Sequence, residues 1–178
     1  MADAGTRLVA DKRAWFKFDD QVILFDSSAG GKGASGGFVY AGGLIDTNLY
    51  LETLNSQEGT SQPVPPNLRD CRFNICPKLQ YAAQRALERS HDNAGKVSGN
   101  SMAQKEEAAH LEDTNNMNEF MRMAGEPVFY GITVQLRHTA SGKFLTLMRS
   151  RANVDTTALK LEVVEGGEEN SWWKIMPA

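Results

Sequence analysis

Apolar residues in this chain come in short bursts, and the bursts repeat. Val22-Ile23-Leu24 is followed by Phe38-Val39-Tyr40 and by Leu49-Tyr50-Leu51-Glu52, and the series closes on Phe73-Asn74-Ile75-Cys76-Pro77. Further along, Val134-Gln135-Leu136, Lys143-Phe144-Leu145 and Leu159-Lys160-Leu161-Glu162 come in the same order and close on Trp173-Lys174-Ile175-Met176-Pro177. Runs this short, bounded by turn residues, predict strands. A unit of about four strands that recurs and ends in aromatic-x-Ile-x-Pro predicts an all-β fold with internal symmetry.

Between the two series the period changes. Leu79, Ala82, Ala83, Ala86 and Leu87 fall at helical spacing among good helix formers, with Pro77 placed to open the first turn. Gly95 and Gly99 interrupt, and a second helix is expected from Ser101, where Ser-x-x-Gln resembles a capping box, to about Gly125 before Pro127. Met102, Ala109, Met117, Phe120 and Ala124 make its apolar face, and Asp113-Thr114-Asn115-Asn116 is its weak point. Met117, Met121 and Met123 are expected to pack against the body rather than to form an adaptable binding surface. This divides the chain into a lead-in over 1–17, a first repeat over 18–77, a helical insertion over 78–127 and a second repeat over 128–178. Trp15, Phe16 and Phe18 are poised to pack on the body, and Val22 to Phe25 read as a buried strand. In the second repeat the strands are expected at Ile132–His138, Phe144–Met148, Ala158–Val164 and Trp172–Met176, with Ser141-Gly142 turning the first hairpin.

Composition narrows the class without changing it. At 178 residues, 41% hydrophobic and 23% charged, the chain suits one globular domain. A net charge of −3 gives no basic field for nucleic acid or an acidic membrane. No apolar run approaches the roughly 20 residues of a membrane span, and Met1-Ala2-Asp3-Ala4-Gly5 has no leader character. Cys71 and Cys76 read as buried thiols, and the three histidines, His91, His110 and His138, lack ligand spacing to them or to one another. No metal or cofactor is therefore expected.

Catalytic chemistry is missing from the sequence. The glycine-rich stretch at 29–43 lacks the Gly-Lys-Ser/Thr and the strand-loop-helix setting of a phosphate loop, so it reads as a turn leading into the strand at Phe38. Residues 55–67, with Pro65-Pro66, read as a surface loop. His138 has no visible nucleophile to serve, His110 sits in a charged helix, and the pairs Asp19-Asp20 and Glu168-Glu169 read as solvated carboxylates. Arg137, Lys143, Arg149 and Arg151 cluster around one hairpin and read as surface charge rather than a phosphate site. The chain is not expected to be an enzyme.

One segment carries a resemblance. Arg69-Asp70-Cys71-Arg72-Phe73-Asn74-Ile75-Cys76-Pro77, followed by Tyr81-Ala82-Ala83-Gln84, is similar to the N-terminal domain of inositol trisphosphate receptors. Gly37-Phe38-Val39 with Gly43-Leu44-Ile45-Asp46 resembles the same domain, as do Gln135-Leu136-Arg137-His138, Lys143-Phe144-Leu145-Thr146 and Ser171-Trp172-Trp173. Ryanodine receptors share the domain, and the Cys-Pro junction favours the inositol trisphosphate branch. The resemblance implies a β-trefoil with a protruding helix-turn-helix arm, the suppressor domain of a homotetrameric calcium-release channel on the cytoplasmic face of the endoplasmic reticulum. Such a domain lowers the affinity of a downstream ligand-binding core and relays binding to the pore through neighbouring subunits. It implies no tight inositol trisphosphate binding by these residues themselves.

The departures are specific. About two of the three trefoil repeats are accounted for, so the chain reads as a fragment forming an open barrel that needs a partner, a swap or a tight cover for its edges. Lys174 stands where the family has a tyrosine. Candidates for packing or interface roles are Leu79, Leu87, Leu111, Phe120, Trp173 and Lys174. The alternatives are a ryanodine-receptor-type N-terminal domain, or a sugar- or peptide-binding trefoil of the mannosyltransferase-associated type, which shares the Leu-Arg-His…Gly-Lys-x-Leu…Trp-Trp pattern but lacks the arm.

Overall fold

A computed structural model describes residues 16–27, 34–42, 44, 46–55, 65, 67–92, 99–153 and 156–177. Among these residues the chain is mostly β with a two-helix insertion. The strands are β1 (Gln21–Ile23), β2 (Phe25–Asp26), β3 (Ala34–Ala41), β4 (Leu49–Asn55), β5 (Arg72–Pro77), β6 (Thr133–His138), β7 (Phe144–Arg151), β8 (Leu159–Val164) and β9 (Trp173–Lys174). Helices α1 (Ala82–Asp92) and α2 (Gly99–Met123) lie between β5 and β6. Trp15, Gly95 and the stretches 28–33 and 56–64 lie outside the described residues.

The two sequence series fold by one pairing scheme. In the first, β1 pairs with the closing strand β5, β2 pairs with β3, and β3 pairs with β4, all antiparallel. In the second, the start of β6 pairs with the closing strand β9, its end pairs with β7, and β7 pairs with β8. The correspondence extends to register: Val22 faces Phe73 as Val134 faces Trp173, and Phe25 faces Phe38 as Arg137 faces Phe144. β5 and β6 join the units across five paired positions, from Phe73↔His138 to Pro77↔Val134. The result is a six-stranded sheet beside a three-stranded one.

The equivalent pairs make the core. Phe73 and Val134 are fully buried, and half-buried Val22, Leu136 and Trp173 touch both hydrophobic clusters, one around Phe18, Ile75 and Val128 and the other around Ala41, Leu145 and Val163. Each fully buried side chain of this kind contributes about 1.5–3 kcal/mol. The Trp173 indole N–H also donates to the Leu145 carbonyl at 2.9 Å, so the ring is held by a bond as well as by packing.

Several expectations change. Val22 to Phe25 do not form one buried strand: Ile23 and Phe25 are exposed, and the run breaks at Leu24 because its two halves pair with different partners. Pro77 ends β5, opposite Val134, instead of opening a helix, and α1 begins only at Ala82. α2 starts at Gly99, two residues before the expected cap, and runs unbroken through Asp113–Asn116. It stops as expected, with Gly125 at φ +80 and its N–H bonded to the Phe18 carbonyl at 2.9 Å. Phe18 is core, whereas Phe16 remains exposed.

Among the described residues two buried side-chain nitrogens, Arg72 Nε and Trp172 Nε1, lack a hydrogen-bond partner, whereas the buried histidine of the body has two. His138 is 1% exposed; its Nε2 lies 3.2 Å from the Asp70 carbonyl and its Nδ1 lies 2.8 Å from Ser141 Oγ. A carbonyl only accepts, so Nε2 carries the proton and Nδ1 accepts from the serine hydroxyl. The ring is thus a structural pin under the Ser141-Gly142 turn, and no base chemistry follows. Cys71 and Cys76 are free and buried, and burial pushes their thiols up to about 11 and about 12, so both stay protonated and unreactive.

Burial holds the His138 pKa below its ordinary 6.5. The unfolded chain takes up a proton as pH falls through that value, while the native ring resists, so the stabilisation is complete above about 6.5 and is lost as pH falls toward the folded value. Urea midpoints at pH 7.5 and 5.5 are expected to show a loss of stability at the lower pH, and His138→Gln is expected to flatten that difference.

Candidate interaction site at the junction of arm and body

α1 is rich in strong helix formers, Ala82-Ala83-Gln84-Arg85-Ala86-Leu87, but has no acidic residue in its first turn to meet its free N–H groups. Glu112 of α2 supplies one. Its Oε2 accepts from the Ala83 N–H at 3.0 Å and its Oε1 from the Gln84 N–H at 3.1 Å. One turn further along α2, buried Asn116 accepts from the Gln80 N–H and donates to the Gln80 carbonyl, both at 2.8 Å. A residue with poor helix propensity is kept in mid-helix because its amide completes the backbone of the incoming chain. Lys105 donates to Ser90 Oγ further along the pair.

The arm meets the body at Gln135, a fully buried residue of β6. Gln135 Oε1 accepts from the Leu79 N–H and the Tyr81 hydroxyl, each at 3.0 Å, and Nε2 donates to the Tyr81 oxygen at 2.8 Å. Burial raises the Tyr81 pKa to about 12, so the hydroxyl remains a donor at any physiological pH. Position 135 matches position 23 of the first series, where Ile23 is exposed. The arm covers the second unit at a place where the first is left open.

A second tether is ionic. The Arg85 Nη2 lies 3.1 Å from Glu168 and its Nη1 2.9 Å from Glu169, so these carboxylates are paired and not merely solvated. Behind them, Glu168 N–H donates to Ser171 Oγ at 3.0 Å, Ser171 meets Thr146 at 2.8 Å, and Thr146 donates to the Phe144 carbonyl at 2.9 Å. Lys78 sits 4.0 Å above the Trp172 ring. The segment Glu168–Trp173 therefore receives the arm on one side and locks into the core on the other.

The candidate residues separate on this frame. Leu79 and Phe120 line one cleft of about 400 Å³ at the junction, together with Met117 and Phe144. Trp173 is core. Leu87 is half-buried on α1, and Leu111 and Lys174 are exposed and stand apart from the cleft. Of the methionines, Met123 packs on the core as expected, whereas Met117 and Met121 are exposed. Arg137 and Arg151 each donate to a main-chain carbonyl, of Gly142 and Thr157, both at 2.9 Å. Among the described residues no three His, Cys, Asp or Glu side chains gather to hold a metal, and no helix is long and apolar enough to cross a membrane. Sequence reasoning missed Gln135, Tyr81, Glu112, Asn116 and Arg85 as junction residues.

Comparison with known proteins places this architecture. A family model described as inositol 1,4,5-trisphosphate/ryanodine receptor matches residues 11–178. The chain belongs to the inositol 1,4,5-trisphosphate/ryanodine receptor family. It is also 31% identical, over 164 residues, to the inositol 1,4,5-trisphosphate receptor itr-1 of Caenorhabditis elegans, an alignment that takes in 89% of this chain and 6% of that receptor. This is a family of receptors and not of enzymes. Within the family match lie every junction residue from Leu79 to Trp173 and both β units.

Glu112→Ala removes the acceptor for two helix-start N–H groups and is expected to cost about 0.5–2 kcal/mol. Tyr81→Phe leaves the Gln135 amide short of a partner inside the junction and is expected to cost about 1–3 kcal/mol. Urea unfolding of the two variants checks both values, and circular dichroism is expected to show helix loss concentrated in the Glu112 variant.

Proposed function

We propose that this chain is the N-terminal regulatory domain of a calcium-release channel, where it lowers the inositol trisphosphate affinity of a downstream binding core and relays ligand binding to the pore. The observation that carries this reading is the tethered arm. Glu112 and Asn116 fix the two halves of the arm to each other, and Gln135 and Arg85 fix the arm to the β body, so a force applied at the arm moves the body with it. A rigid domain tunes affinity at another site when it contacts the bound and unbound arrangements differently.

The itr-1 relative supports the inositol trisphosphate branch over a ryanodine-type domain. The shared pairing scheme supports a β-trefoil with two of its repeats at 18–77 and 128–178 and the arm at 78–127. In this reading Leu79, Phe120 and Trp173 hold the domain together. Exposed Leu111 and Lys174, with half-buried Leu87, are the surface offered to neighbouring subunits of a homotetramer. The parent channel supplies the attachment to the endoplasmic reticulum membrane and the ligand site, and residues 1–178 bind inositol trisphosphate only weakly.

Calorimetry on the parent's N-terminal region, with and without residues 1–178, tests the proposal. Deletion is expected to tighten inositol trisphosphate binding by about 5- to 150-fold, the range of ordinary coupling energies. Arg85→Glu, which sets a third carboxylate against Glu168 and Glu169, is expected to recover part of that gain with the fold intact. Unchanged affinity on deletion would overturn the suppressor role and leave assembly or gating contacts as the domain's work.

A further inference from the structure

We propose that the cleft between arm and body is a binding site for a small organic cation with an apolar or aromatic body. Its volume, about 400 Å³, falls in the range of small-molecule sites. Leu79, Met117, Phe120 and Phe144 give it apolar walls drawn from both the arm and the sheet. Exposed Met117 has an unbranched thioether that adapts to the shape of an occupant.

Charge selects the class of occupant. Asp113 from α2 and Glu165 from the segment after β8 line the cleft, and neither makes a hydrogen bond or ion pair with a described residue. The cation among the lining residues described, Arg137, is engaged there: its Nε donates to the Gly142 carbonyl and its guanidinium lies 6.0 Å over the Phe144 ring. Two unpaired carboxylates against one engaged guanidinium disfavour an anion and favour an ammonium group. Such a ligand sets its nitrogen toward Asp113 and Glu165 and its apolar part against Met117 and Phe120. The cleft bridges the two bodies that Gln135 and Arg85 hold together, so an occupant stiffens the arm's seat. The site stands whether or not the domain suppresses a downstream affinity.

Phenethylamine is the probe, with 2-phenylethanol and phenylacetate as its neutral and anionic counterparts. The chain is labelled with methyl-¹³C methionine, and the Met117 signal is assigned by Met117→Leu. The amine is expected to move the Met117 methyl along a saturable curve and to bind about fivefold more tightly than the alcohol, as ion pairs to two exposed carboxylates supply. The Asp113→Asn, Glu165→Gln double variant is expected to bring the amine down to the alcohol's affinity and to leave the alcohol's curve in place, which shows the cleft intact. The proposal is overturned if the amine leaves Met117 unmoved, if phenylacetate moves it equally, or if the amine's preference survives in the double variant.

Discussion

The side-chain amide of Gln135 is the constraint on which the rest of the structure depends. It lies in β6 opposite Cys76 of β5, with its side chain aimed out of the sheet toward the arm. Left bare, the position would suit any polar residue in water. Covered by the arm, it must meet the two donors that the arm brings, the Leu79 N–H and the Tyr81 hydroxyl, and it meets both. An apolar residue here would orphan those groups at about 1–3 kcal/mol each. The amide therefore fixes where the chain leaves β5, and with it the point at which α1 begins. Glu112 and Asn116 then dictate how α2 returns.

How much of this was legible follows from the range of each interaction. The β units were visible because strand pairing keeps apolar residues on one face, and the echo of Val22 and Phe73 in Val134 and Trp173 is an echo of paired positions. The match between Leu49-Tyr50-Leu51-Glu52 and Leu159-Lys160-Leu161-Glu162 is offset. By register Tyr50 corresponds to Glu162, since Tyr40↔Tyr50 takes the place of Thr146↔Glu162. A slip of two residues keeps every side chain on its own face, so the sequence pattern survives it. The break at Leu24 was not legible, because nothing local says that Val22 and Phe25 pair with different strands.

The junction stayed hidden for the same reason. Gln135 finds Leu79 at a separation of 56 residues, Arg85 finds Glu168 at 83, and Ala83 finds Glu112 at 29. Periodicity reports none of these. A signal was present at Asn116: weak helix formers in the middle of a long helix suggest a break when read locally, and a bond to another segment when read structurally. The contrast of Ile23 with Gln135 at matched positions was a second signal, in which the apolar residue is exposed and the polar one buried. That inversion has a meaning only once something covers the second unit.

The tethers differ in kind, and the difference bears on what the arm can transmit. Arg85 and its two glutamates are partly exposed, and pairs of that sort contribute about 0.2–1 kcal/mol each and weaken with salt. The Gln135 and Asn116 bonds are neutral and sheltered, so salt and pH leave them in place. The arm's seat is then set by groups indifferent to ionic conditions, and its outer contact by groups that are not. The Arg85 contact is thus the one that salt loosens, while the Gln135 seat holds. Behind that contact the body is locked through Ser171, Thr146 and Trp173.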